Sequence, residues 1–256
     1  MVSMKKVAVV ICAYNEEKTI SAVVARSKKY SNEVIVVDDG STDRTYSLVK
    51  GKCTVLRNRV NRGKGFTLRR GLAYAAKKGF KYVVIHDADG EDDPKYIPKM
   101  IKLLSKYDIV VASRSIRRSE TRRKLNNFTN WWLRVATEYK IDDPCSGYNA
   151  FNLSALKSLN LISNNFECET EIVLEAKRNE LSIGQMNVVM PYVSYSHLKA
   201  IHSLQINNFY DVWILKHVYG LSISFFKKIF LFFAALGGVV VGKPLEWMFM
   251  FFRRVF

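Results

Sequence analysis

Short apolar runs alternate with segments of helical periodicity through the first part of the chain. The apolar runs occupy residues 5–13, 33–37, 53–57, 82–85 and 108–113, and the helical segments between them occupy residues 19–29, 43–50, 66–78 and 94–106. A strand followed by a helix, repeated several times, is typical of a parallel sheet with helices on both faces. The sequence therefore predicts a doubly wound α/β domain, in which ligands bind at the carboxyl ends of the strands.

Acidic residues follow three of the predicted strands. They come after the first, second and fourth strands and are Glu16 with Glu17, Asp38 with Asp39, and Asp87 with Asp89. Because the carboxyl ends of parallel strands share one edge of a sheet, we expect these three loops to lie together. Carboxylates gathered at the ends of buried strands are unfavourable unless positive charge lies among them.

The stretch at 82–94, YVVIHDADGEDDP, carries the densest group of acids. An Asp-x-Asp pair on a tight turn can direct two carboxylates at one hard divalent cation, so Asp87 and Asp89, with Glu91 beside them, are predicted Mg²⁺ or Mn²⁺ ligands. Such an ion would neutralise charge on a departing diphosphate. The alternative is an acidic turn that only caps a strand. Asp92 and Asp93 are interpreted as helix-capping acids before Pro94.

A dense basic loop follows the strand at 108–113. It contains Arg114, Arg117, Arg118, Arg122, Arg123 and Lys124. Guanidinium groups bind phosphate through paired hydrogen bonds, so the loop is a candidate phosphate clamp. A solvated basic surface is the alternative for any single arginine.

The chain changes character after this loop. The pattern predicts a helix at 126–140, a Pro/Gly loop at 142–148, helices at 151–161 and 166–178, and a last strand at 183–195. Pro191 argues against a central position for that strand, because proline cannot donate to a sheet ladder.

The C-terminal segment is apolar and basic. Residues 229–242 carry no charge but are too few to span a membrane comfortably as a helix. A second apolar run at 247–252 precedes Arg253 and Arg254. This pattern favours a helix pair that lies in the membrane interface and is held to acidic lipids by its charge. A core helix packed on the domain and a single tilted span are the alternatives.

The net charge of +17, from 40 basic and 23 acidic residues, favours a polyanionic partner. A nucleic-acid binder would explain neither the acidic strand ends nor the apolar segment, so we expect an anionic membrane surface and phosphorylated substrates, and no nucleic acid. The four cysteines are scattered without a C-x-x-C pair, and no signal-peptide pattern precedes the first strand. A reducing, cytoplasmic location is therefore expected.

Six segments in order resemble glycosyltransferase family 2, and most closely its dolichyl- or polyprenyl-phosphate hexose synthases. They are VAVVICAYNEEKTI, VIVVDDGSTDRT, NRGKGFTLRRG, HDADGED, VVASR and DDPCSGYNAF. The resemblance covers about residues 5–200 and implies one nucleotide-sugar-binding domain of the glycosyltransferase A type at 1–200, with a membrane-associating helical tail at 201–256. It also implies transfer of a hexose, with inversion, from GDP-mannose or UDP-glucose to a dolichyl or polyprenyl phosphate at the cytoplasmic face of the cell membrane.

The resemblance also assigns residues. It implies catalytic roles for Asp89, Arg114 and Arg122. The implied donor-binding set is Tyr14, Glu16, Asp38, Asp39, Lys64, Asp87, Ala88, Asp89, Arg114, Arg122, Arg123 and Ser146. Tyr14 and Glu16 match positions near the base and ribose, and Asp39 matches the base-recognising acid.

The chain departs from the family pattern at Cys12, where proline is usual, at Glu91, where glutamine is common, and at Asn149, where many of the synthases have arginine. The C-terminal segment also departs from it, with a pair of short hydrophobic segments in place of two clear spanning helices. The departures at Asn149 and in this segment leave a second acceptor class open, a glycan or lipid hydroxyl. An ionised phosphate acceptor needs no general base, whereas a hydroxyl acceptor does. The candidate bases are Glu167, Glu169 and Asp143. His86, beside the acids, is interpreted as a packing residue or as a residue that supports the acids without binding a ligand itself.

Overall fold

The computed structural model describes residues 6–114, 130, 133–134 and 137–189. Most of the predicted helix at 126–140, the end of the predicted last strand and the predicted tail at 201–256 lie outside these residues. So do four arginines of the basic loop, which are Arg117, Arg118, Arg122 and Arg123.

The described residues form a seven-stranded sheet with helices. The strands are β1 Val7–Ala13, β2 Glu33–Asp38, β3 Thr54–Arg57, β4 Tyr82–Asp87, β5 Ile109–Arg114, β6 Asn149–Asn152 and β7 Ile183–Val188. The helices are α1 Ile20–Ser27, α2 Thr45–Val49, α3 Lys64–Lys77, α4 Ile97–Leu103 after the 3-10 turn Pro94–Tyr96, α5 Leu153–Ser158 and α6 Cys168–Arg178.

The sheet is mixed, with the order β3-β2-β1-β4-β6-β5-β7. Strands β1 to β4 pair in parallel, as do β5 and β7, but β6 runs antiparallel to both β4 and β5. The predicted parallel pairing is confirmed for β1 to β4, and the sheet becomes mixed at β6. The predicted helix 151–161 is wrong at its start, because residues 151 and 152 belong to this strand. Its four residues, NAFN, are too few to show an alternating pattern, and their strand conformation depends on backbone pairing with β4 and β5 on either side.

Helices cover both faces of the sheet, which confirms the α/β layering. On one face, alternate residues of β1 such as Val9 and Ile11 pack with α1 and α4. On the other face, Val10 packs with α3 and α6. Gly71 lets α3 approach closely, since a Cβ there would lie 2.4 Å from Cγ1 of Val10. This close packing of the helices on the sheet fixes where the strand ends leave the core.

The direction of β6 decides which loop reaches the functional edge. Because β6 is antiparallel, its first residue, Asn149, pairs with Ile85 near the carboxyl end of β4 and with Val111 of β5. The loop at 142–148 therefore ends at the same edge as the acids after β1, β2 and β4. Strand β7 lies at the margin of the sheet, which agrees with the expectation from Pro191 that the last strand is not central.

Candidate functional site

The three predicted acidic loops share one edge of the sheet. In the register of the parallel strands, Ala13 of β1 pairs with Asp38 of β2, and Cys12 pairs with Asp87 of β4. The strand ends therefore stand side by side, with β1 in the middle. The prediction that these loops lie together is confirmed.

The carboxylate of Asp39 is occupied by hydrogen bonds from neighbouring residues. Its side chain is 3% exposed. One carboxylate oxygen accepts hydrogen bonds from Asn58 Nδ2 at 2.6 Å and from the Arg62 amide at 2.9 Å, and the other accepts from the Gly63 amide at 2.9 Å. Gly63 has φ of +90°, a backbone conformation that favours glycine. Asp39 thus holds the loop that leads into α3.

Asp38 is also committed to the fold. It is fully buried, and Oδ2 lies 3.0 Å from Arg57 Nε while Oδ1 accepts from the Ser41 amide at 3.1 Å. A buried carboxylate with a charged partner and a backbone donor stabilises the turn that it closes. Neither acid after β2 resembles a group held ready for a metal.

The loop after β1 places an aromatic side chain at the edge. Tyr14 is 44% exposed. The next residue, Asn15, has φ of +56°, and its amide donates to Ser41 Oγ at 2.9 Å. The Glu16 amide donates to Thr45 Oγ1 at 2.7 Å. These bonds hold the loop against the segment that follows β2, so the Tyr14 ring is presented from a fixed backbone.

At the end of β4, a buried ammonium group joins two acids. Lys64 Nζ lies 2.7 Å from Asp87 Oδ1, 3.0 Å from Asp87 Oδ2 and 2.6 Å from Glu169 Oε1. Lys64 is the first residue of α3, and Glu169 lies in the first turn of α6. Burial lowers the pKa of Lys64, but the charges of Asp87 and Glu169 outweigh it and hold the pKa well above its ordinary value.

The surroundings of Asp89 stabilise the charge of its carboxylate poorly. Burial, and then the negative charge of Asp87, raise its pKa from 3.8 to about 7. One oxygen accepts the Glu91 amide at 2.9 Å, and the charge of Glu91 raises the pKa further. Lys64 opposes this shift. Two carboxylates that repel each other at a strand end form a site that added positive charge would stabilise.

The remaining acids of this stretch support the backbone. Asp93 Oδ1 accepts the Lys95 amide at 3.1 Å, so its predicted capping role at Pro94 is confirmed. Asp92 Oδ2 accepts the Asp87 amide at 3.0 Å across the turn, and its predicted capping role stays a prediction. This bond helps to fix the end of β4.

The Asp87–Asp89 pair fits a hard divalent cation. Magnesium binds proteins through one or two carboxylates and completes its octahedron with water and substrate phosphate. The mutual repulsion that raises the pKa of Asp89 is what such an ion would relieve. Within the described ranges, no group of three or more His, Cys, Asp or Glu side chains is arranged to hold a metal. The role of Glu91 as a third ligand stays a prediction.

Gly147, in the loop before β6, closes the site from the other side. A Cβ on Gly147 would lie 2.8 Å from Asp87 Oδ2 and 3.1 Å from Lys64 Nζ, so only glycine leaves these groups undisturbed. The predicted Ser146 is fully buried, and its Oγ accepts the Tyr148 amide at 3.3 Å. Asn149 Nδ2 donates to the Ser146 carbonyl at 2.8 Å. Here Gly147 contacts the acids, while Ser146 and Asn149 support the loop.

This arrangement agrees with the family to which the sequence points. The profile of Glycosyl transferase family 2 matches residues 8–154, more than half of the chain. The chain belongs to glycosyl transferase family 2. The fold is therefore that of a family 2 glycosyltransferase.

Curated relatives and solved structures resemble the transferase over most of its length. The UDP-N-acetylglucosamine–dolichyl-phosphate N-acetylglucosaminyltransferase of Methanococcus voltae is 30% identical over 242 residues, which cover 83% of this chain and 96% of the relative. The dolichol-phosphate mannosyltransferase of Pyrococcus furiosus is 25% identical over 268 residues, covering 96% of this chain and 72% of the relative. The fold is similar to that of glucosyl-3-phosphoglycerate synthase from Mycobacterium tuberculosis, solved with Mn²⁺ and UDP, with a TM-score of 0.66, 22% identity, and coverage of 86% and 82% of the two chains.

Two other predicted donor-site residues of the transferase have known positions. Ala88 is buried in the core on the α1 side of the sheet. Arg114 ends β5, where its backbone pairs with Val188. Arg122 and Arg123 lie outside the described residues, so their predicted phosphate contacts stay predictions.

His86 of the transferase is a packing residue, as predicted. It is 2% exposed, lies 2.9 Å from Ser27 Oγ through Nε2 and 3.0 Å from the Asp87 carbonyl through Nδ1. Burial lowers its pKa, so the neutral ring is favoured. His86 also meets Tyr148 edge to face. It supports the backbone of the acidic turn from beneath.

The two cysteines near the site are inert thiols. Burial raises the pKa of Cys12 to about 12 and that of Cys168 well above its ordinary value. A thiol with such a pKa is a poor nucleophile at neutral pH. Cys12 therefore replaces the usual proline without adding chemistry.

The acids of α6 differ in their contacts. Glu167 accepts the Asn165 amide at 3.0 Å, and Glu171 accepts the amides of Ile162 and Ser163. Both shape the loop before α6. Glu169 alone among these three bonds to Lys64 in the described structure. The sequence predicts Glu169 only as a possible base, and it predicts no role for Gly147. The residue types carry a signal, but their pairing with Lys64 and Asp87 depends on the fold.

The predicted membrane-associating segment is outside the described residues. Among the helices that the structure does describe, none is long and apolar enough to cross a lipid bilayer.

Proposed function

We propose that the protein is a metal-dependent, inverting glycosyltransferase that moves a sugar from a nucleoside-diphosphate sugar to a dolichyl or polyprenyl phosphate. The observation that carries the proposal is the partly buried Asp87–Asp89 pair at the end of β4, faced by Lys64. This group of charges is suited to a divalent cation and a diphosphate. GDP-mannose and UDP-glucose are the expected donors, and the Methanococcus voltae relative adds UDP-N-acetylglucosamine.

Within this mechanism, the bound cation would supply Lewis-acid stabilisation of the departing diphosphate. Asp87 and Asp89 would hold it. Tyr14, exposed at the edge, would contact the nucleoside, and Arg114 at the end of β5 would bind phosphate. The loop held by Asp39 would form the wall of the nucleoside pocket.

The acceptor proposed is a phosphate because the three predicted bases are occupied by other contacts or buried. An acceptor phosphate is ionised at neutral pH and attacks without deprotonation. A hydroxyl acceptor needs a carboxylate that can take up a proton. Glu169 is ion-paired with Lys64 at 2.6 Å, Glu167 accepts the Asn165 amide at 3.0 Å, and Asp143 is only 5% exposed.

Transfer from labelled donors tests the proposal directly. The full-length protein would be incubated with Mg²⁺ or Mn²⁺, polyprenyl phosphate and each of the three labelled donors in turn. We expect a chloroform-soluble labelled product with one of them, and its loss with EDTA. Absence of lipid-linked product with every donor would overturn the proposal, and label found only on glycan hydroxyls would assign the alternative acceptor.

The proposed location is the cytoplasmic face of the cell membrane, where the basic C-terminal segment would bind anionic lipid. The net charge of +17 and the apolar runs at 229–242 and 247–252 support this. Co-sedimentation of the full chain with vesicles of anionic and of zwitterionic lipid would test it. We expect binding to the anionic vesicles that weakens with salt, and equal binding to both would contradict the electrostatic part.

A further inference from the structure

A metal ion would compete with Lys64 for the carboxylate oxygens of Asp87. Its ammonium contacts both carboxylate oxygens of Asp87, at 2.7 and 3.0 Å, and the nearer oxygen of Glu169 at 2.6 Å. Asp87 is a proposed metal ligand, so the oxygens that Lys64 holds are those that a cation would use. Lys64 is only 14% exposed, so little water is available to replace a lost partner.

We propose that Lys64 is a place-holder cation: it neutralises Asp87 while the metal site is empty and shifts onto Glu169 when a divalent cation takes Asp87. Lys64 and Glu169 are then positioning residues for metal and donor binding. The inference rests on the proposed metal-dependent function, which it deepens by assigning roles to these two residues.

The backbone around Lys64 is held in place, so only its side chain has freedom to shift. Gly63 and Gly65 pack on the loop before α6, where Cβ atoms would meet the carbonyl oxygens of Asn164 and Ser163. The Gly65 amide donates to the Asn164 carbonyl at 2.8 Å. The first turn of α3 is therefore fixed against the segment that carries Glu169, and the ammonium can pivot between two carboxylates without movement of either helix.

Glu169 gives the displaced ammonium a partner. A buried lysine without a counter-charge would lose its proton or destabilise the fold. Glu169 is 6% exposed and already bonds to Nζ, so it provides a counter-charge for Lys64 after the ammonium leaves Asp87. An ammonium retained there adds positive charge close to the diphosphate position.

The charges also favour replacement of Lys64 by a cation at Asp87 over a simple loss of the Lys64–Asp87 contact. Asp87 and Glu169 place two carboxylates on the single positive charge of Lys64, and the negative charge of Asp87 also acts on Asp89. A divalent cation would add the positive charge that this group lacks. If Lys64 were removed, Asp87 would face the cation without a competitor, and the metal should bind more tightly although the donor would lose a contact.

Direct measurement of Mn²⁺ affinity by electron paramagnetic resonance, without nucleotide, tests the place-holder role. We expect Lys64→Met to bind Mn²⁺ at least about tenfold more tightly than the wild type, a change of about 1.4 kcal/mol. Glu169→Gln should bind it about threefold more weakly, because Lys64 then depends on Asp87 alone. Lys95→Met is the matched control: it also removes one positive charge, but from an exposed pair with Asp93, and its affinity should not change.

The outcomes separate this inference from the proposed function. A wild-type protein that binds no Mn²⁺ at millimolar concentration overturns the metal requirement and the place-holder role together. Wild-type binding with equal or weaker binding by folded Lys64→Met overturns the place-holder role alone. If Lys64→Met does not fold, Glu169→Gln decides, since equal or tighter Mn²⁺ binding by that variant contradicts the exchange.

Discussion

The acids after β2 and those after β4 occupy the same edge of the sheet but have different partners. Asp39 accepts three hydrogen bonds from Asn58 and the loop before α3, and it is almost fully buried. Asp89 accepts one described hydrogen bond, from the amide of Glu91 in the same loop, and its pKa is raised to about 7. Similar sequence positions therefore serve different purposes.

The comparison distinguishes acids whose charge the fold satisfies from acids that are suited to bind a cation. A carboxylate whose lone pairs are satisfied by backbone amides stabilises the fold and has little capacity left for a metal. A carboxylate crowded by another negative charge is destabilised by the fold and gains from a cation. The acids at the strand ends therefore do not all serve one site, and the contacts of each acid indicate its role.

The largest effect is expected from Asp89→Asn. Removal of one metal-binding charge should lower sugar transfer at least about 100-fold, because the cation would lose a ligand that stabilises the departing diphosphate. The assay is transfer to polyprenyl phosphate, with circular dichroism to confirm the fold. Asp93→Asn is a matched control that removes a charge from the cap of the 3-10 turn. Retained activity in Asp89→Asn would remove the distinction between the two acid pairs.

Asp39→Ala should destabilise the fold by about 2–3 kcal/mol, since the Asn58 amide and two backbone amides would lose their acceptor. Asp89→Ala, without metal, should leave stability unchanged or increase it. Urea unfolding of both variants measures the difference. Equal losses of stability would contradict the assignment of Asp39 as the structural acid.

Gly147→Ala should weaken donor and metal binding by about tenfold, since the added methyl group would displace Asp87 or Lys64. Isothermal titration with Mn²⁺ and UDP provides the readout. Gly79→Ala is the control, because its Cβ would meet nothing within 4 Å. That variant has a strained φ of +74° and should lose some stability but keep its binding. Unchanged binding by Gly147→Ala would show that the acidic turn has room to adjust.

The smallest effect concerns pH. The pKa of Asp89 is raised from 3.8 to about 7, so the folded state favours its protonated form. Its contribution to the free energy of unfolding is present below pH 3.8 and is lost as pH rises through about 7. Between about pH 5 and about pH 8, the wild type should lose at least about 1 kcal/mol relative to Asp89→Asn, by urea unfolding without metal. A constant difference would mean that Asp89 is not strained by its neighbours.

The sequence predicts the layout of the functional edge well. The Val- and Ile-rich runs of β1, β2 and β4 are long enough to be recognised as buried strands, and their order follows from helix-linked parallel pairing. The acids after them then come together without further information. The capping role of Asp93 is likewise a local feature, readable from the proline that follows it.

Features that depend on distant pairing could not be predicted. The four residues of β6 lack a periodic signal, and their antiparallel position between β4 and β5 follows from the tertiary fold. Helix α3 begins at Lys64, two residues before the predicted start, because Gly63 with φ of +90° ends the loop there. The Lys64–Glu169 pair joins the starts of two helices that are far apart in the chain, and no local sequence pattern predicts it.

The neighbouring positions of β5 and β6 bear on how family members could diverge. Strand β5 ends at Arg114 and β6 begins at Asn149, and Val111 pairs with Asn149 in the register of these two strands. Backbone pairing therefore sets both ends of the connection 115–148 at the functional edge. The end of this connection carries Gly147, which contacts Asp87 and Lys64 and has to be kept. Exchanging residues 115–129 between relatives, with the loop at 142–148 left in place, would be a direct way to ask whether this stretch sets the acceptor while the donor site stays unchanged.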